Sequence, residues 1–247
     1  MKRIGIVGGV GWQSTVEYYA GLCRLAEERR RPKQLRSEPL TPEICIESLD
    51  LNTALALLGH DEEPESWRRF DEYHRTALLR LQASDVEVAV IASNTPHHRF
   101  ASITSSLTIP VLSILDASAQ EAVRMGASRM LVLGTAMTMR SAMYQETCRR
   151  YGIEAASPTQ TKVRAAVVKI IDDIHRGRIA DVDQRIHAAV RASLGAKVPD
   201  GTVVCLACTE LPLAFPSTRE ASFEENGIRY LNTSAAHIRA LFDFANA

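Results

Sequence analysis

The sequence predicts an α/β protein made of two similar α/β/α lobes, each with a mostly parallel sheet. Apolar runs of strand length alternate with amphipathic segments of helical period along the 247 residues. Run 3–9 finishes at Gly9 and run 129–135 at Gly134-Thr135, and runs 86–97 and 203–212 each lead into small polar residues and a proline. This order occurs twice, at a period that suits two lobes rather than a solenoid.

The two predicted lobes have a discontinuous boundary along the chain. Residues 1–112 together with 214–247 are expected to form the first lobe, and residues 113–213 the second. The strand at 229–233 and the closing helix at 234–245 are expected to return to the first lobe. A duplicated unit also predicts a pseudo-two-fold cleft between the lobes, with the polar strand ends on its opposite walls.

The first lobe opens with strand 3–9 and a glycine-rich loop. The loop places the amides of Gly9 and Val10 before a helix that Ser14 or Thr15 can cap, where a small carboxylate could bind. An ordinary tight turn explains the glycines equally well. Neither G-x-G-x-x-G nor G-x-x-x-x-G-K-[ST] occurs, which argues against a nucleotide ligand.

The rest of the first lobe leads to a polar strand end. Three prolines and several charges in residues 31–43 predict an exposed connection. Strand 44–49 follows, and Phe70, Tyr73 and two leucines supply the apolar stripe of a helix over 67–83. The apolar strand that begins at Val86 then ends on three small polar residues: Ser93, Asn94 and Thr95.

The second lobe repeats this plan. Strand 129–135 ends at Thr135, and Thr138 is expected to start the next helix. Amphipathic helices over 162–178 and 182–194 lead to an apolar strand that ends on a thiol, a hydroxyl and a carboxylate. These are Cys208, Thr209 and Glu210. Ligands of parallel sheets bind outside the carboxyl ends of the strands, so a site is expected here; a buried structural cysteine is the alternative.

Composition excludes several classes of partner. The formal net charge is zero, and no basic block interleaved with aromatics occurs, which argues against nucleic acid and a membrane surface. No apolar run reaches the roughly 20 residues of a membrane helix, and no signal peptide is recognisable. Five cysteines, an odd number without zinc-site spacing, favour a reducing cytoplasm and no metal. Cys205 and Cys208 form a C-x-x-C within a strand, where alternation points them to opposite faces.

Two side chains from opposite walls of a cleft, one of them a thiol, suit proton transfer at carbon. Cys208 is the expected base, with a pKa lowered by Thr209 and the backbone that follows. Ser93 lies at the equivalent strand end of the other lobe. Hydroxyl and amide groups at the strand ends could bind a substrate carboxylate and stabilise the charge left by the departing proton. These groups belong to Asn94, Thr95, Thr135, Thr138 and Thr209.

Four segments together resemble the cofactor-independent aspartate/glutamate racemase family, over nearly the whole chain. They are 6–15, 93–95, 133–135 and 207–211, and the last, Ala-Cys-Thr-Glu-Leu, is the most specific. The resemblance implies two α/β/α lobes with the active site between them, no pyridoxal phosphate and no metal, and a homodimer. It further implies that Ser93 and Cys208 face the two sides of the substrate α-carbon, with Glu210 and Asn232 as supporting residues.

The chain departs from the family pattern at three places. Most members have cysteine where Ser93 stands, and an alcohol is a poor general base at neutral pH, so the two directions of reaction should differ. The loop Asp50-Leu51-Asn52 lacks the arginine that aspartate racemases often place there for the side-chain carboxylate. Asn232 stands where aspartate is common. The departures leave the identity of the substrate open.

Three functions are compatible with these residues. The first is an amino-acid racemase of the aspartate/glutamate type, biased in direction. The second is a single-thiol decarboxylase or cis-trans isomerase of small dicarboxylates, in the manner of arylmalonate decarboxylases and maleate isomerases. The third is a catalytically impaired binder of a small carboxylate that has kept the site after losing one thiol.

Overall fold

The computed structural model describes residues 1–29, 41–60, 62–215 and 219–247, so most of the predicted connection 31–43 lies outside the described residues. The chain divides into two compact units. Unit 1 comprises Met1–Ser113 and His237–Ala247, and unit 2 comprises Ile114–Ala236. Within the described ranges, no helix combines the length and apolarity needed to cross a membrane.

Unit 1 contains a four-stranded parallel sheet in the order β2-β1-β3-β4. Its strands are β1 (Ile4–Gly8), β2 (Ile44–Ser48), β3 (Val88–Ile91) and β4 (Val111–Leu112). The helices of this part of the chain are α1 (Trp12–Glu28), α2 (Leu51–Ala56), α3 (Arg68–Ala83) and α4 (Phe100–Thr104). Short 3₁₀ turns cover Pro64–Trp67 and Thr95–Arg99.

Unit 2 contains a five-stranded sheet in the order β6-β5-β7-β9-β8, parallel except for the edge strand β8. Its strands are β5 (Arg129–Gly134), β6 (Glu154–Ala156), β7 (Thr202–Ala207), β8 (Ser222–Glu225) and β9 (Ile228–Asn232). The helices are α5 (Ile114–Arg124), α6 (Ala136–Arg140), α7 (Met143–Arg150), α8 (Thr161–His175) and α9 (Val182–Leu194), with a 3₁₀ turn at Leu211–Ala214. The last helix, α10 (Thr233–Asn246), begins in unit 2 and continues in unit 1 from His237 onward.

The two sheets share one strand order. The sequence β2-β1-β3-β4 corresponds to β6-β5-β7-β9, in which the first strand of each half lies between the second and the third. Both central strands end in a glycine packed against a threonine of the next helix: an added Cβ on Gly8 would lie 2.6 Å from Thr15 Cγ2, and one on Gly134 would lie 2.8 Å from Thr138 Cγ2. The predicted pair of mostly parallel α/β units is confirmed.

The predicted boundary at 213/214 needs correction. Strand β9 pairs with β7, with Val204 opposite Tyr230, so the chain as far as Ala236 belongs to unit 2. Most of α10, from His237 onward, does belong to unit 1 as predicted, and there Ile238 and Phe242 pack with the first strand and with Tyr18. The residue pattern of a terminal strand is the same whichever sheet the strand joins. Its partner strand is decided by tertiary packing, which the local sequence does not encode.

Strand β7 is buried along its whole length, as expected for a central parallel strand. Its side chains alternate between two core clusters: Leu206 and Cys208 pack in one, and Cys205 and Ala207 in the other. The prediction that the two thiols of the C-x-x-C point to opposite faces is confirmed. This arrangement excludes a disulfide between them.

Candidate active site

The polar residues of unit 2 follow the paired ends of two neighbouring strands. Gly134 of β5 lies opposite Ala207 of β7, so Thr135 and Cys208 leave the sheet at the same edge. This is the carboxyl edge of a parallel sheet, where α/β proteins bind their ligands. The register therefore places a hydroxyl and a thiol at a position suited to small-molecule chemistry.

Cys208 is tied to a buried carboxylate two residues along the chain. Its Sγ donates to Glu210 Oε2 over 2.9 Å, and the Thr209 hydroxyl donates to the same oxygen over 3.2 Å. Both donors and the carboxylate are at least nine-tenths buried. A charged acceptor in a buried site makes stronger hydrogen bonds than a neutral one. Cys208 is thus held as a hydrogen-bonded thiol rather than packed as inert core.

His175 reaches the other oxygen of the same carboxylate. Its Nε2 lies 3.4 Å from Glu210 Oε1, and its side chain is 37% exposed whereas that of Glu210 is 5% exposed. The hydrogen bond to Glu210 raises the pKa of His175 above its ordinary value, against the opposing effect of burial. The site therefore runs from a buried thiol through a buried carboxylate to an imidazole in contact with solvent.

The sequence reasoning did not find His175. It is the last residue of α8, and its partner lies 35 positions later in the chain, so no local spacing links the two. A signal was nevertheless present. His175 continues the buried face of the helix through Val167 and Ile171, at intervals of four residues. A titratable residue that extends an apolar stripe is a candidate for contact with a polar group in the core.

The expectation of a lowered pKa for Cys208 was wrong. Burial and the adjacent Glu210 carboxylate raise the pKa of this thiol well above its usual value, and the backbone amides of Glu210 and Leu211 only partly oppose them. Burial by itself would raise the pKa of Glu210, but hydrogen bonds from His175 and Cys208 outweigh it and lower that pKa. The resting charge distribution is a neutral thiol beside an ionised carboxylate.

Thr135 and Thr138 form a compact pair at the end of β5. The Thr135 hydroxyl accepts from the Thr138 amide over 3.2 Å and lies 3.0 Å from the Thr138 hydroxyl. Thr135 is therefore the N-cap of α6, and the helix begins at Ala136, two residues before the predicted start. An added Cβ on Gly134 would lie 2.6 Å from the Ala207 carbonyl, so only glycine allows this close approach of β5 to β7.

Unit 1 presents Ser93 at the corresponding position. Val7 of β1 lies opposite Ile91 of β3, and Ser93 follows β3 by two residues. Ser93 and Asn94 are buried, whereas Thr95 is partly exposed. His97 fixes this turn, because its Nδ1 lies 2.8 Å from the Ser93 carbonyl and its amide donates to the Asn94 carbonyl.

The glycine-rich loop of unit 1 is fixed by internal contacts. The Gly9 amide donates to Thr15 Oγ1 over 2.8 Å, so Thr15 braces the loop and the helix has Gly11 as its N-cap, without a side-chain cap. Gly9 has a φ of +83°, and an added Cβ would lie 2.0 Å from the Leu49 carbonyl oxygen. Glycine is required here by the backbone itself. Val10, the next residue, is partly exposed.

Asn232 lies in unit 2, at the end of β9 opposite Leu206 of β7. It is buried, and its Oδ1 accepts from the Ala235 amide over 3.2 Å at the start of α10. The next residue, Thr233, donates through its hydroxyl to the Leu206 carbonyl. Asn232 thus holds the start of α10, and Thr233 ties this segment to the strand that leads to Cys208. Among the described residues, no group of three His, Cys, Asp or Glu side chains has the arrangement of a metal site.

The comparisons with known proteins agree on one family. The family model described as Asp/Glu/Hydantoin racemase matches residues 7–241. The glutamate racemase of Aquifex aeolicus (strain VF5) is 25% identical over 175 residues, which are 70% of this chain and 64% of that protein. The chain thus matches slightly less than two thirds of this relative's length.

Two solved structures extend the similarity over the whole chain. An aspartate racemase homologue from Pyrococcus horikoshii OT3 is similar with a TM-score of 0.77 and 26% identity, covering 100% of both chains. The aspartate racemase of Picrophilus torridus is similar with a TM-score of 0.69 and 19% identity, covering 100% of this chain and 95% of the other. The second similarity is one of fold.

Proposed function

The chain belongs to the Asp/Glu/hydantoin racemase family, and from this premise we propose that it is a cofactor-independent amino-acid racemase of the aspartate/glutamate type. In this proposal Cys208 and Ser93 exchange protons with the α-carbon from opposite faces. The observation that carries the proposal is the hydrogen bond from the Cys208 thiol to the buried Glu210 carboxylate, at the end of a central parallel strand. A structural cysteine needs no such acceptor.

The proposed reaction begins with the thiol proton. It passes from Cys208 Sγ through Glu210 Oε2 to solvent, and the thiolate then takes the α-proton of the substrate, leaving the electron pair on the α-carbon. A proton from the Ser93 hydroxyl closes the new C–H bond on the other face, and the serine oxygen recovers its proton from solvent. Each step is an acid-base transfer, so neither pyridoxal phosphate nor a metal is needed.

Binding of the substrate carboxylate is assigned to the polar groups at the strand ends. These groups donate hydrogen bonds where negative charge develops, and such donors are how enzymes stabilise a carbanion beside a carboxylate. The residues assigned to this role are Gly9, Val10, Asn94, Thr95, Thr135, Thr138 and Thr209. The proposal requires that groups of both units reach one substrate molecule. We assign Glu210 to the thiol and Asn232 to the support of the turn from β9 into α10, because those are the contacts they make.

Ser93 makes the two half-reactions unequal. A hydroxyl can protonate a strongly basic carbanion, but the alkoxide that would be needed to remove a proton forms from the resting serine only at high cost, so removal of hydrogen on its face is slow. We therefore expect Cys208 to exchange the α-proton of one enantiomer readily, while inversion proceeds more slowly than exchange.

Deuterium incorporation tests the proposal directly. Each enantiomer of aspartate and glutamate is incubated with the protein in deuterium oxide, and α-deuteration is followed by mass spectrometry and inversion by chiral chromatography. Exchange with at least one enantiomer, abolished in Cys208→Ser, is the expected result. The absence of exchange with all four refutes it.

The other two functions give different results in the same experiment. Turnover of malonates or of maleate, without exchange at an amino acid, indicates the single-thiol decarboxylase or isomerase. Binding of a small carboxylate without any turnover indicates the impaired binder. Dimerisation, which light scattering tests, and a cytoplasmic location stay predictions, the first from the family resemblance and the second from the odd number of cysteines.

A further inference from the structure

Glu210 joins two groups that the proposed reaction treats very differently. On one side its Oε2 accepts from the buried Cys208 thiol over 2.9 Å, and on the other its Oε1 lies 3.4 Å from Nε2 of His175. The thiol is 5% exposed, whereas the imidazole reaches solvent at the end of α8. The proposed reaction uses Cys208 and Glu210 and assigns no role to His175.

The charges around this chain of contacts set the cost of ionising Cys208. Glu210 faces His175, the Cys208 thiol and the Thr209 hydroxyl, and His175 faces Glu210 and, on its own helix, Asp172. Ionisation of the thiol places a second negative charge beside the carboxylate. When His175 is protonated, ionisation of the thiol changes the net charge of Cys208, Glu210 and His175 together from zero to minus one. When His175 is neutral, the same step changes their net charge from minus one to minus two. Repulsion in a buried site makes the second change far less favourable.

The position of His175 suits a protonated imidazole. It lies in the last turn of a 15-residue helix, where the helix dipole favours positive charge. The hydrogen bond to Glu210 raises the pKa of His175, and the exposure of the imidazole lets it exchange protons with water. A cation can thus be present near neutral pH without the desolvation cost that a fully buried one would carry.

We propose that His175 is a positioning residue which, acting through Glu210, makes ionisation of the Cys208 thiol accessible near neutral pH. The inference rests on the proposed function only because that function uses an ionised Cys208. Ionisation breaks the Sγ–H bond and transfers the proton to Glu210 and then to water, while His175 keeps its own proton and its contact with Oε1. No oxidation or reduction is involved.

Alkylation of Cys208 by iodoacetamide measures this ionisation without requiring catalysis. Only the thiolate reacts, and fragment-ion mass spectrometry distinguishes Cys208 from Cys205 on the same peptide. Loss of a screened cation on the far side of the carboxylate costs about 2 kcal/mol and lowers the thiolate fraction about 30-fold. The more basic thiolate is also more nucleophilic, so at pH 7 we expect His175→Gln to slow alkylation about sixfold.

Two further variants separate an action through Glu210 from a general structural effect. In a Glu210→Gln background, His175→Gln should change the alkylation rate by less than 1.5-fold. Arg176→Gln removes a cation from the adjacent position, where it pairs with the exposed Asp172, and should leave the rate unchanged. An unchanged rate in His175→Gln, or the same slowing in both backgrounds, overturns the inference.

A charge-preserving variant keeps the test decisive if His175→Gln fails to fold. His175→Lys keeps a cation near Oε1 to much higher pH than imidazole does. The wild-type alkylation profile should therefore flatten where His175 loses its proton, and the flattening should be absent in His175→Lys. Its persistence overturns the inference. An active enzyme without a His175 effect refutes this inference alone, whereas a His175-dependent thiol without α-proton exchange refutes the racemase alone.

Discussion

Replacement of Glu210 by glutamine should move thiol reactivity and turnover in opposite directions. The carboxylate is buried and its Oε2 lies 2.9 Å from Cys208 Sγ, so a thiolate there would face a full negative charge centred about 4 Å away. At an effective dielectric constant of about 20 this repulsion is about 4 kcal/mol. The variant also takes away the contact that raises the pKa of His175, so the cation that offsets roughly half of this repulsion is lost as well. The net change is about 2 kcal/mol, or about a 30-fold increase in thiolate fraction.

Part of this gain is lost because a less basic thiolate is a weaker nucleophile. With a Brønsted coefficient of about 0.45, the 30-fold gain becomes about a sixfold faster alkylation of Cys208 at pH 7. Turnover should fall instead, because glutamine cannot accept the thiol proton. Glu154→Gln, which neutralises a carboxylate that is 80% exposed, serves as the control and should change neither rate.

The assay compares iodoacetamide labelling of Cys208 with α-deuteration of the substrate in the same preparations. Slower labelling together with slower deuteration in Glu210→Gln would refute the reasoning, since it would mean that the carboxylate favours the thiolate rather than opposing it. Unchanged labelling would show that the Cys208 thiol is not governed by this contact.

The other predictions concern proton exchange and stability. Ser93→Cys should accelerate inversion of the substrate at least tenfold, because a thiol forms an anion far more readily than an alcohol; inversion no faster than in wild type would contradict the proposed role of residue 93. Tyr18→Phe removes the hydroxyl 2.7 Å from Nδ1 of the buried His237 and should lower the free energy of urea unfolding by about 1 to 3 kcal/mol, a cost that an unchanged midpoint would disprove. Burial lowers the pKa of His237 from 6.5 to about 3, so the unfolded chain binds a proton that the folded chain does not, and stability should fall as the pH drops from about 6.5 toward 3; His237→Phe should flatten this loss in acid titrations. Gly9→Ala should lower the unfolding free energy by more than about 2 kcal/mol, because a Cβ would lie 2.0 Å from the Leu49 carbonyl oxygen and the φ is +83°; a stable variant would show that the loop can rearrange.

The sequence predicted the features that depend on local pattern. Buried parallel strands read as continuous apolar runs, so β1, β3, β5 and β7 could be recognised together with the residues that follow them. The repeat of glycine-ended and polar-ended strands predicted that Ser93 and Cys208 occupy equivalent strand ends, and the shared strand order of the two sheets agrees with it.

The remaining features depend on contacts between distant segments. The partner of β9 is chosen by the packing of Tyr230 and Leu231, whose pattern is equally suited to either sheet. The contact of His175 with Glu210 joins a helix end to a strand end, and the spacing of these two residues in the sequence does not predict it. The pKa of Cys208 follows from burial and from the direction of one carboxylate, and neither can be derived from the tripeptide Cys-Thr-Glu.

The two equivalent strand ends differ in the group that stands two residues beyond the reacting atom: Glu210 follows Cys208, whereas Thr95 follows Ser93. At that position Glu210 can relay a proton between the thiol and solvent, whereas Thr95 carries no group that titrates near neutral pH. Because mirror-image substrates have equal energies in water, the Haldane relation obliges the ratio kcat/KM to be the same for both hands. The difference between the two strand ends must then appear as a change in kcat between the two enantiomers that an equal change in KM offsets. It also slows the approach to a 1:1 mixture, but it never produces an excess of one enantiomer at equilibrium.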